Sequence, residues 1–291
     1  MLLGVPVADV RVVGTRHGFR HLRGTLADGR EVFVKASPGL DGKDALAAEA
    51  NGLRWLAQAR AVPVPEVLGV DESLLVIALL PEGAPSPAAA REFGASLARM
   101  HAAGAPAFGA PWPGYIASLP LDNTESRYPE NSTAPGHPGN TDWGGWYAER
   151  RLVPYLRRAH DDGALSGTDA RQVEAVIERI AELAGPPEPP SRIHGDLWSG
   201  NVLWSGGHAA ALIDPAAHGG HRETDLAMLA LFGAPYLAEI LGAYAEAAPL
   251  ADGWRARVPL HQLHPLLVHV CLFGPSYTPQ LTATARAALR A

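Results

Sequence analysis

The sequence predicts an α+β protein of two lobes, in which a small antiparallel sheet with one helix precedes a larger, mainly helical lobe that carries a β-hairpin. Short β-like runs fill most of residues 10–80, with Asp28-Gly29 as a two-residue turn between two of them. Farther along the chain the apolar residues recur at helical spacing. The segment PEGAPSP separates the two patterns, so we expect an N-terminal lobe of residues 1–82 and a C-terminal lobe of residues 83–291.

The predicted N-terminal sheet begins with three antiparallel strands in the runs VRVVG, FRHLRGTL and REVFVK. A helix is predicted next over residues 43–59, because the apolar side chains of this stretch fall on one helical face. Those side chains are Leu46, Ala50, Leu53 and Leu56. The run LLVIALL at 74–80 is uniformly apolar and predicts a further, buried strand.

The C-terminal lobe is expected to consist of long amphipathic helices, since apolar residues repeat there every three or four positions. These helices are predicted over 88–101, 143–160, 168–184, 224–246, 258–273 and 279–290. Between them, the apolar runs 202–204 and 209–213 flank a Ser-Gly-Gly turn and predict a β-hairpin. Residues 125–140 are rich in Pro, Gly, Asn, Ser and Thr and predict an exposed, irregular loop.

Composition limits the classes of function that the chain can have. Hydrophobic residues make up 47% of its 291 residues and charged residues 19%, which is typical of a folded globular protein. A formal net charge of −6 and the lack of a Lys/Arg-rich run argue against a nucleic-acid partner and favour a small-molecule one. The sequence leaves the oligomeric state open.

Several features indicate the cellular compartment. Cys271 is the single cysteine, so we expect neither a disulfide framework nor a cysteine-based metal site, as in a reducing cytoplasm. The N-terminal run has no cationic start and reaches Asp9 and Arg11 before a signal-like apolar core could develop. No window is apolar for long enough to span a membrane. We therefore expect a cytoplasmic protein without a membrane partner.

The strongest functional signal is the run HGDLWSGN at 194–201, followed after the predicted hairpin by an apolar residue and Asp214. Phosphoryl transfer needs a carboxylate that orients the attacking hydroxyl and accepts its proton, together with oxygen ligands for Mg²⁺. Asp196 can supply the first, and Asn201 and Asp214 can supply the second. A single Asp beside Gly is more often a turn former or a helix cap, but the combined pattern favours catalysis.

A second signal lies in the N-terminal lobe, where the apolar run VFV ends in Lys35. Lys35 and Lys43 are the only lysines, and every other basic side chain except histidine is arginine. A lysine in this position indicates a compact charge that contacts the α- and β-phosphates of a nucleotide. Glu49, in the predicted helix, is its natural ion-pair partner, although either residue taken alone could equally be solvated.

The glycine-rich pattern G-x-G-x-x-G of nucleotide-binding kinases is absent between the first two strands. The run GTRHG at 14–18 stands there instead, as an ordinary hairpin turn whose backbone amides, including that of Gly18, could still cover phosphates. In the run LLVIALL, the strand register indicates that the Ala78 carbonyl and the Leu80 amide meet the edge of an adenine.

Together these segments resemble the fructosamine kinase (ketosamine-3-kinase) family, a branch of the aminoglycoside and choline phosphotransferases within the protein-kinase-like superfamily. The most specific segments are HGDLWSGNVL at 194–203, IDPAAHGGHRETDLAMLALFG at 213–233, WYAERRLVPYL at 146–156 and HQLHPLLVHVCLFGPSY at 261–277. The resemblance implies a protein-kinase-like two-lobed fold and Mg²⁺-dependent transfer of phosphate from ATP to the C3 hydroxyl of a ketosamine. The acceptor would thus be a small sugar-amine adduct.

The resemblance also implies roles for single residues. Asp196 corresponds to the catalytic acid residue, Asn201 and Asp214 to the metal ligands, and Lys35, paired with Glu49, to the phosphate-binding lysine.

Three further residues take supporting roles by the same resemblance. Asp225 corresponds to a structural aspartate that braces the catalytic loop, and we interpret His194 as orienting that loop instead of transferring protons. Trp198 occupies the family position beside the acceptor cleft, where an indole face could pack on a sugar. A core position is the alternative for Trp198.

The acceptor-binding residues are harder to identify. If the family's acceptor segment corresponds to residues 114–150, then Asn123, Trp143, Trp146 and Arg150 are candidates for the cleft. Each of them could equally belong to packing or to a solvated helix face.

Three histidines, His261, His264 and His269, share one apolar helical stretch. Because no carboxylate lies near them in sequence, this pattern indicates structural packing and not a metal site.

Two other functions stay open at this point. One is a kinase for another small alcohol, such as an aminoglycoside or a choline-like compound, and the other is a nucleotide-binding pseudokinase, which the missing glycine pattern would suit. A protein kinase is disfavoured, because Pro-Ala follows Asp214 where Phe-Gly would be needed and no A-P-E run precedes Asp225.

Overall fold

The structure is a computed structural model that describes residues 2–37, 39, 42–126, 142–205 and 208–291. The strands are β1 (Val7–Arg16), β2 (Phe19–Leu26), β3 (Glu31–Ala36), β4 (Val67–Val70), β5 (Leu74–Ala78), β6 (Gly114–Ile116), β7 (Leu119–Leu121), β8 (Ser191–Ile193), β9 (Val202–Ser205), β10 (His208–Leu212) and β11 (His218–Gly220). The helices are α1 (Lys43–Ala57), α2 (Pro87–Ala102), α3 (Trp143–Tyr147), α4 (Val153–Asp161), α5 (Gly167–Glu178), α6 (Ile180–Leu183), α7 (Arg222–Leu231), α8 (Leu237–Ala247), α9 (Trp254–Phe273) and α10 (Thr278–Ala288).

The N-terminal sheet has the strand order β1-β2-β3-β5-β4, and each neighbouring pair is antiparallel. The three predicted strands, the helix after them and the strand in LLVIALL are all present. Leu46 and Leu53 of α1 are buried against Leu75 and Ile77 of β5, so the predicted apolar face of the helix packs on the sheet. Strand β4 was not predicted, because its run is short and follows a proline-rich segment.

The C-terminal lobe is mainly helical, and its predicted helices are present with different boundaries. The stretch 224–246 forms two helices, because Pro235 between them has no amide hydrogen to donate. The stretch 143–160 is α3 and α4 joined by a π-helical turn at Ala148–Leu152. A large apolar cluster gathers α4, α5 and α10 around α9, and a second one joins α2 and α8 to the hairpin β9–β10 and the end of α1.

Two short strand pairs in this lobe were not predicted. Strands β6 and β7 form a small hairpin, and β8 pairs antiparallel with β11. The β8–β11 pair joins the chain before the run HGDLWSGN to the chain after Asp214, and therefore fixes both ends of the catalytic segment. The predicted hairpin β9–β10 lies between them.

Two expectations concern the chain as a whole. The irregular loop expected over 125–140 lies, from residue 127 onward, outside the described residues. Within the described part of the chain, no helix has the length and apolar character needed to cross a membrane.

Candidate active site

The candidate site is built on the loop that leaves β8 at His194 and enters β9 after Asn201. Gly195 in this loop has φ +81°, and a Cβ there would lie 2.3 Å from the Ala216 carbonyl oxygen. Only glycine allows this approach of the two backbones. The loop and the segment after Asp214 are therefore in direct contact, as the spacing of the motif predicted.

Asp225, at the start of α7, holds the loop by binding its backbone amides. Its carboxylate accepts hydrogen bonds from the amide of His194 at 2.7 Å and the amide of Gly195 at 2.9 Å. Its Oδ2 also lies 3.1 Å from Nε2 of the buried His101. Burial alone would raise the pKa of Asp225, but these hydrogen bonds and the nearby histidines keep that pKa below its ordinary value. A buried, ionised carboxylate therefore clamps two successive amides of the loop.

His194 links the two halves of the site. Its Nε2 donates to the Ile213 carbonyl at 2.9 Å, and its Nδ1 accepts from the Asp196 amide at 3.3 Å. These contacts define one neutral tautomer, and burial lowers the pKa of the ring further. A neutral imidazole with both nitrogens engaged therefore joins the loop to the Ile213 carbonyl.

Asp196 and Asn201 face each other across the loop. The Asn201 amide nitrogen donates to the Asp196 carbonyl at 2.8 Å and to its Oδ2 at 3.2 Å, which directs the Asn201 amide oxygen to other partners. Burial, followed by the charge of Asp214, raises the pKa of Asp196 to about 7. A carboxylate with this pKa can accept a proton near neutral pH.

Lys35, Glu49 and Asp214 form a buried group of charges. The Lys35 ammonium lies 2.7 Å from Oε2 of Glu49 and 2.8 Å from Oδ1 of Asp214, so the predicted ion pair with Glu49 is present. Burial alone would lower the pKa of Lys35, but the two carboxylates outweigh it and raise that pKa. Burial likewise opposes ionisation of Asp214, yet the lysine keeps its pKa below the ordinary value. Asp214 has φ +55°, a strained conformation for a residue other than glycine.

Three connected cavities meet at these side chains. The apolar cavity, of about 370 Å³, is walled by Phe33, Ile77 and Leu203 and ends at Asp214. The charged cavity, of about 100 Å³, contains Lys35, Glu49, Asp196, Asn201 and Asp214. The outer cavity, of about 530 Å³, begins at Asp196 and Trp198 and extends over the C-terminal lobe. Asp196 thus lies where the charged and outer cavities join.

The backbone of the β5 end faces the apolar cavity. The Leu79 amide donates to Glu31 on the β3 side, whereas the Ala78 amide donates to Glu66 on the opposite edge. Because the polar groups of an extended chain alternate in direction, the Ala78 carbonyl and the Leu80 amide lie on the Glu66 edge as well. Both residues line the cavity.

The turn between β1 and β2 brings other residues to the cavities than the sequence analysis predicted. His17 at φ +50° and Gly18 at φ +84° form a two-residue turn between the paired Arg16 and Phe19. Gly18 is at the tip of this turn and not among the residues that line the cavities, whereas Arg16 lines all three of them. His17 and His21 also line the charged cavity. Arg16 could have been identified in the sequence as a basic residue next to the turn that replaces the glycine-rich loop.

Of the acceptor candidates, Trp198 lines both the charged and the outer cavity. Its indole lies against Gly200, where a Cβ would be only 2.2 Å from the ring. The absence of a side chain at Gly200 therefore allows the position of Trp198.

The other four candidates lie outside these three cavities, which corrects the expectation that they form the cleft. Trp143 is stacked on Tyr147 and His261, and Trp146 is buried with its indole N–H donating to Thr124. Asn123 accepts a hydrogen bond from Arg151, and Arg150 pairs with Asp122. Helix α3 turns both tryptophans into the core because that face of the helix is the apolar one.

The acceptor side is lined instead by residues that the sequence analysis assigned to packing or did not consider. They are Ile116, Ala117, Phe232, Leu272, Phe273 and Tyr277.

His261 and His264 are buried in the core, and His269 belongs to the outer cavity. The fold brings a carboxylate to His261 that is distant in sequence, because Glu223 lies 3.3 Å from its Nε2. With His221 these two residues form a group of potential metal-ligating side chains. Arg257, however, binds both oxygens of Glu223, at 2.6 Å and 3.0 Å, so the carboxylate is already neutralised by an arginine.

Comparisons with known proteins agree with this geometry. The sequence profile of the fructosamine kinase family matches residues 13–291. A crystal structure of a fructosamine-3-kinase candidate from Thermobifida fusca YX-ER1 is 55% identical and superimposes with a TM-score of 0.91 over 100% of this chain and 96% of the other. A ketoamine kinase candidate from Escherichia coli K12 is 32% identical over 270 residues, which span 90% of this chain and 85% of the relative.

An ADP-bound aminoglycoside phosphotransferase, 13% identical, superimposes with a TM-score of 0.63 over 97% of this chain and 95% of its own. At this identity the likeness concerns the fold alone. It confirms the two-lobed, protein-kinase-like fold that the sequence predicted.

Proposed function

The chain belongs to the fructosamine kinase family, and from this premise we propose that it transfers the γ-phosphoryl group of Mg·ATP to the C3 hydroxyl of a ketoamine. The observation that carries the proposal is the meeting of Asp196, Asn201, Asp214 and Lys35 around one cavity. This set provides a proton acceptor, metal ligands and a phosphate-binding cation, which are the groups that phosphoryl transfer requires.

The nucleotide is proposed to bind between residues 1–82 and residues 83–291, with its adenine in the apolar cavity. That cavity offers apolar walls and, at the end of β5, a carbonyl and an amide two residues apart on one edge. The triphosphate then extends toward Lys35, whose ammonium is held in place by Glu49. Arg16 lies along the same path and supplies a second cation.

The donor set of Asp214 and Asn201 suits Mg²⁺, which prefers carboxylate and amide oxygens. Asp214 is ionised because of Lys35, and the Asn201 amide nitrogen is bound to Asp196, so the amide oxygen is directed to other ligands. When bound, Mg²⁺ would neutralise charge on the β- and γ-phosphates. Asp214 and Asn201 are therefore the residues proposed to hold it.

Asp196 is proposed to accept the proton of the attacking hydroxyl. It lies at the junction of the charged and outer cavities, so a sugar in the outer cavity can present a hydroxyl to Asp196 and to a phosphate beside Lys35. Trp198 borders the same junction and offers an apolar ring face to the sugar. Oxygen, and not carbon, is the nucleophile, since the reaction forms a phosphate ester.

The competing function, a kinase for a polycationic aminoglycoside, is less well supported. Asp196 is the one acidic side chain among the described residues that line the outer cavity, whereas a polycation would need several. The pseudokinase reading is disfavoured by the presence of the complete set of catalytic groups.

The test is an acceptor screen. Purified protein is incubated with Mg·ATP and, separately, a fructosamine, a ribulosamine, the two free sugars and an aminoglycoside, and phosphorylated products are detected by mass spectrometry. We expect phosphorylation of a ketoamine, which disappears with Asp214→Asn and with EDTA. Product from the aminoglycoside alone, or from no acceptor, would contradict the proposal.

A further inference from the structure

The far side of the outer cavity is formed by four aromatic side chains that we call the aromatic wall: Phe232, His269, Phe273 and Tyr277. Ring centroids of His269 lie 4.9 Å from Phe232, 5.4 Å from Phe273 and 4.9 Å from Tyr277. The wall is therefore one continuous surface. It joins the end of α7, the end of α9 and the turn that follows α9.

The wall is exposed to an unusual degree for aromatic side chains. Phe232 retains 36% of its accessible surface and Phe273 retains 51%. Both rings line the same cavity as Asp196 and Trp198, so the exposed surface continues directly into the site of reaction. Exposed apolar surface of this kind typically marks a place where a ligand binds.

The charges around the wall limit what it can bind. Arg16 and His17 overhang the cavity, and Asp196 is the one acid among its described lining residues. His269 Nδ1 donates to the Pro265 carbonyl at 2.7 Å, and burial lowers the pKa of this histidine, so the ring is neutral near pH 7. The wall itself is thus uncharged. Because the Arg16 guanidinium lines the same cavity and would repel a further positive charge, we expect an uncharged apolar group to fit better than a cationic one.

We propose that the aromatic wall binds the amine-derived part of the ketoamine and makes this enzyme prefer acceptors whose nitrogen carries an aromatic or large apolar group. The inference rests on the proposed function, which places the sugar next to Asp196. The group attached to nitrogen must then extend away from the phosphates, and the outer cavity that Asp196 and Trp198 line extends to the wall. Its volume of about 530 Å³ is in the range used for ligands larger than one sugar.

The test compares two ribulosamines that differ only in the amine, one made from benzylamine and one from methylamine. We expect wild-type kcat/KM to be about tenfold higher for the benzylamine adduct, because an apolar pocket gains roughly this factor from a larger apolar group. Phe273→Ala should lower kcat/KM for the benzylamine adduct roughly three- to tenfold and change that for the methylamine adduct less than about twofold. Phe273→Tyr, which keeps the ring, should restore the preference.

Val12→Ala is the matched control, because Val12 is 52% exposed on β1 and lies outside the outer cavity. Phe232→Ala is a second variant of the wall, and melting temperatures exclude unfolding. Equal use of both adducts by the wild type, or an equal loss for both in Phe273→Ala, would overturn this inference while leaving the kinase assignment intact. If the wild type phosphorylates neither adduct and no ketoamine of the acceptor screen, the proposed function and this inference fall together. If it phosphorylates the fructosamine alone, the same comparison is made with the benzylamine and methylamine adducts of glucose.

Discussion

The phosphate side and the acceptor side of the cleft are built in different ways. On the phosphate side, Lys35 contacts Glu49 and Asp214 at 2.7 Å and 2.8 Å, and each charge depends on the others for its protonation state. On the acceptor side, apolar and aromatic side chains from several helix ends share one open cavity without a comparable network. The first arrangement tolerates few residue types, whereas the second needs only shape and apolar surface.

This contrast has a consequence for function within the family. The phosphate side determines that phosphate is transferred, and its geometry can stay constant while the acceptor changes. The acceptor side lies on the ends of α7 and α9, where a substitution alters a half-exposed ring without disturbing the core. We therefore expect large, acceptor-independent effects on the phosphate side and smaller, acceptor-dependent ones on the other.

The largest effect is expected for Asp196→Asn. The variant keeps the shape of the side chain but cannot accept a proton, so kcat should fall by a factor on the order of 10²–10⁴ with any acceptor. The affinity for ATP, measured by nucleotide titration, should stay nearly unchanged. Asp162→Asn is the control, since Asp162 is an exposed carboxylate remote from the cleft. Near-normal turnover of Asp196→Asn would remove this residue from the chemistry.

Trp198→Ala should have the next largest effect, and an acceptor-dependent one. Loss of an indole face that contacts the sugar corresponds to about 1–3 kcal/mol, or roughly ten- to hundredfold in kcat/KM for a ribulosamine. ATP affinity should change much less. Gly200→Ala offers an independent check, because its new Cβ would displace the indole without removing it. Steady-state kinetics with equal losses for ATP and acceptor would contradict the placement of Trp198 on the acceptor side.

The pH dependence of the reaction should report Asp196. Its pKa of about 7 lies above the ordinary value, so the proton acceptor is lost as the pH falls through 7 and is retained above it. At constant acceptor concentration, kcat/KM for ATP should therefore decrease below about pH 7, approaching a tenfold loss per pH unit. The residual activity of Asp196→Asn should not show this decrease below pH 7. A flat wild-type profile between pH 6 and 8 would show that another group, or none, accepts the proton.

The same contrast explains how much could be predicted from the sequence. Asp196, Asn201 and Asp214, which line one cavity, could be singled out because phosphoryl transfer requires those residue types at short, fixed spacings. For Trp143 and Trp146 the sequence left a cleft position and a core position equally open, because a tryptophan on a helix gives the same signal in both. The aromatic wall was missed because its rings come together only when α7 and α9 pack, and nothing in their separate runs distinguishes them from core residues.

The two lobes also differ in how much of their secondary structure could be predicted from the sequence. Four of the five strands of the first sheet were predicted, since alternation and the Asp28-Gly29 turn are local signals. The pair β8–β11 was not predicted, because its paired residues are 25 to 29 positions apart in sequence and meet only through the loop that Asp225 holds. The strand pairing that positions the site is thus less visible in sequence than the side chains proposed to perform the chemistry.

The smallest effect is expected for Arg16→Ala, and it tests where the two sides meet. Arg16 lines all three cavities from a turn that lacks the glycine-rich pattern, so its guanidinium can contact phosphates that backbone amides would otherwise bind. The side chain is exposed, so water screens its contacts and its loss should raise KM for ATP only about three- to tenfold. Arg11→Ala is the matched control, because Arg11 is an exposed arginine of the same strand that lies outside the three cavities. If Arg16 serves the phosphates, Arg16→Lys should recover part of the ATP affinity, and the defect should be the same for the benzylamine and methylamine adducts. A defect that differs between the two adducts, with KM for ATP unchanged, would instead assign Arg16 to the acceptor side.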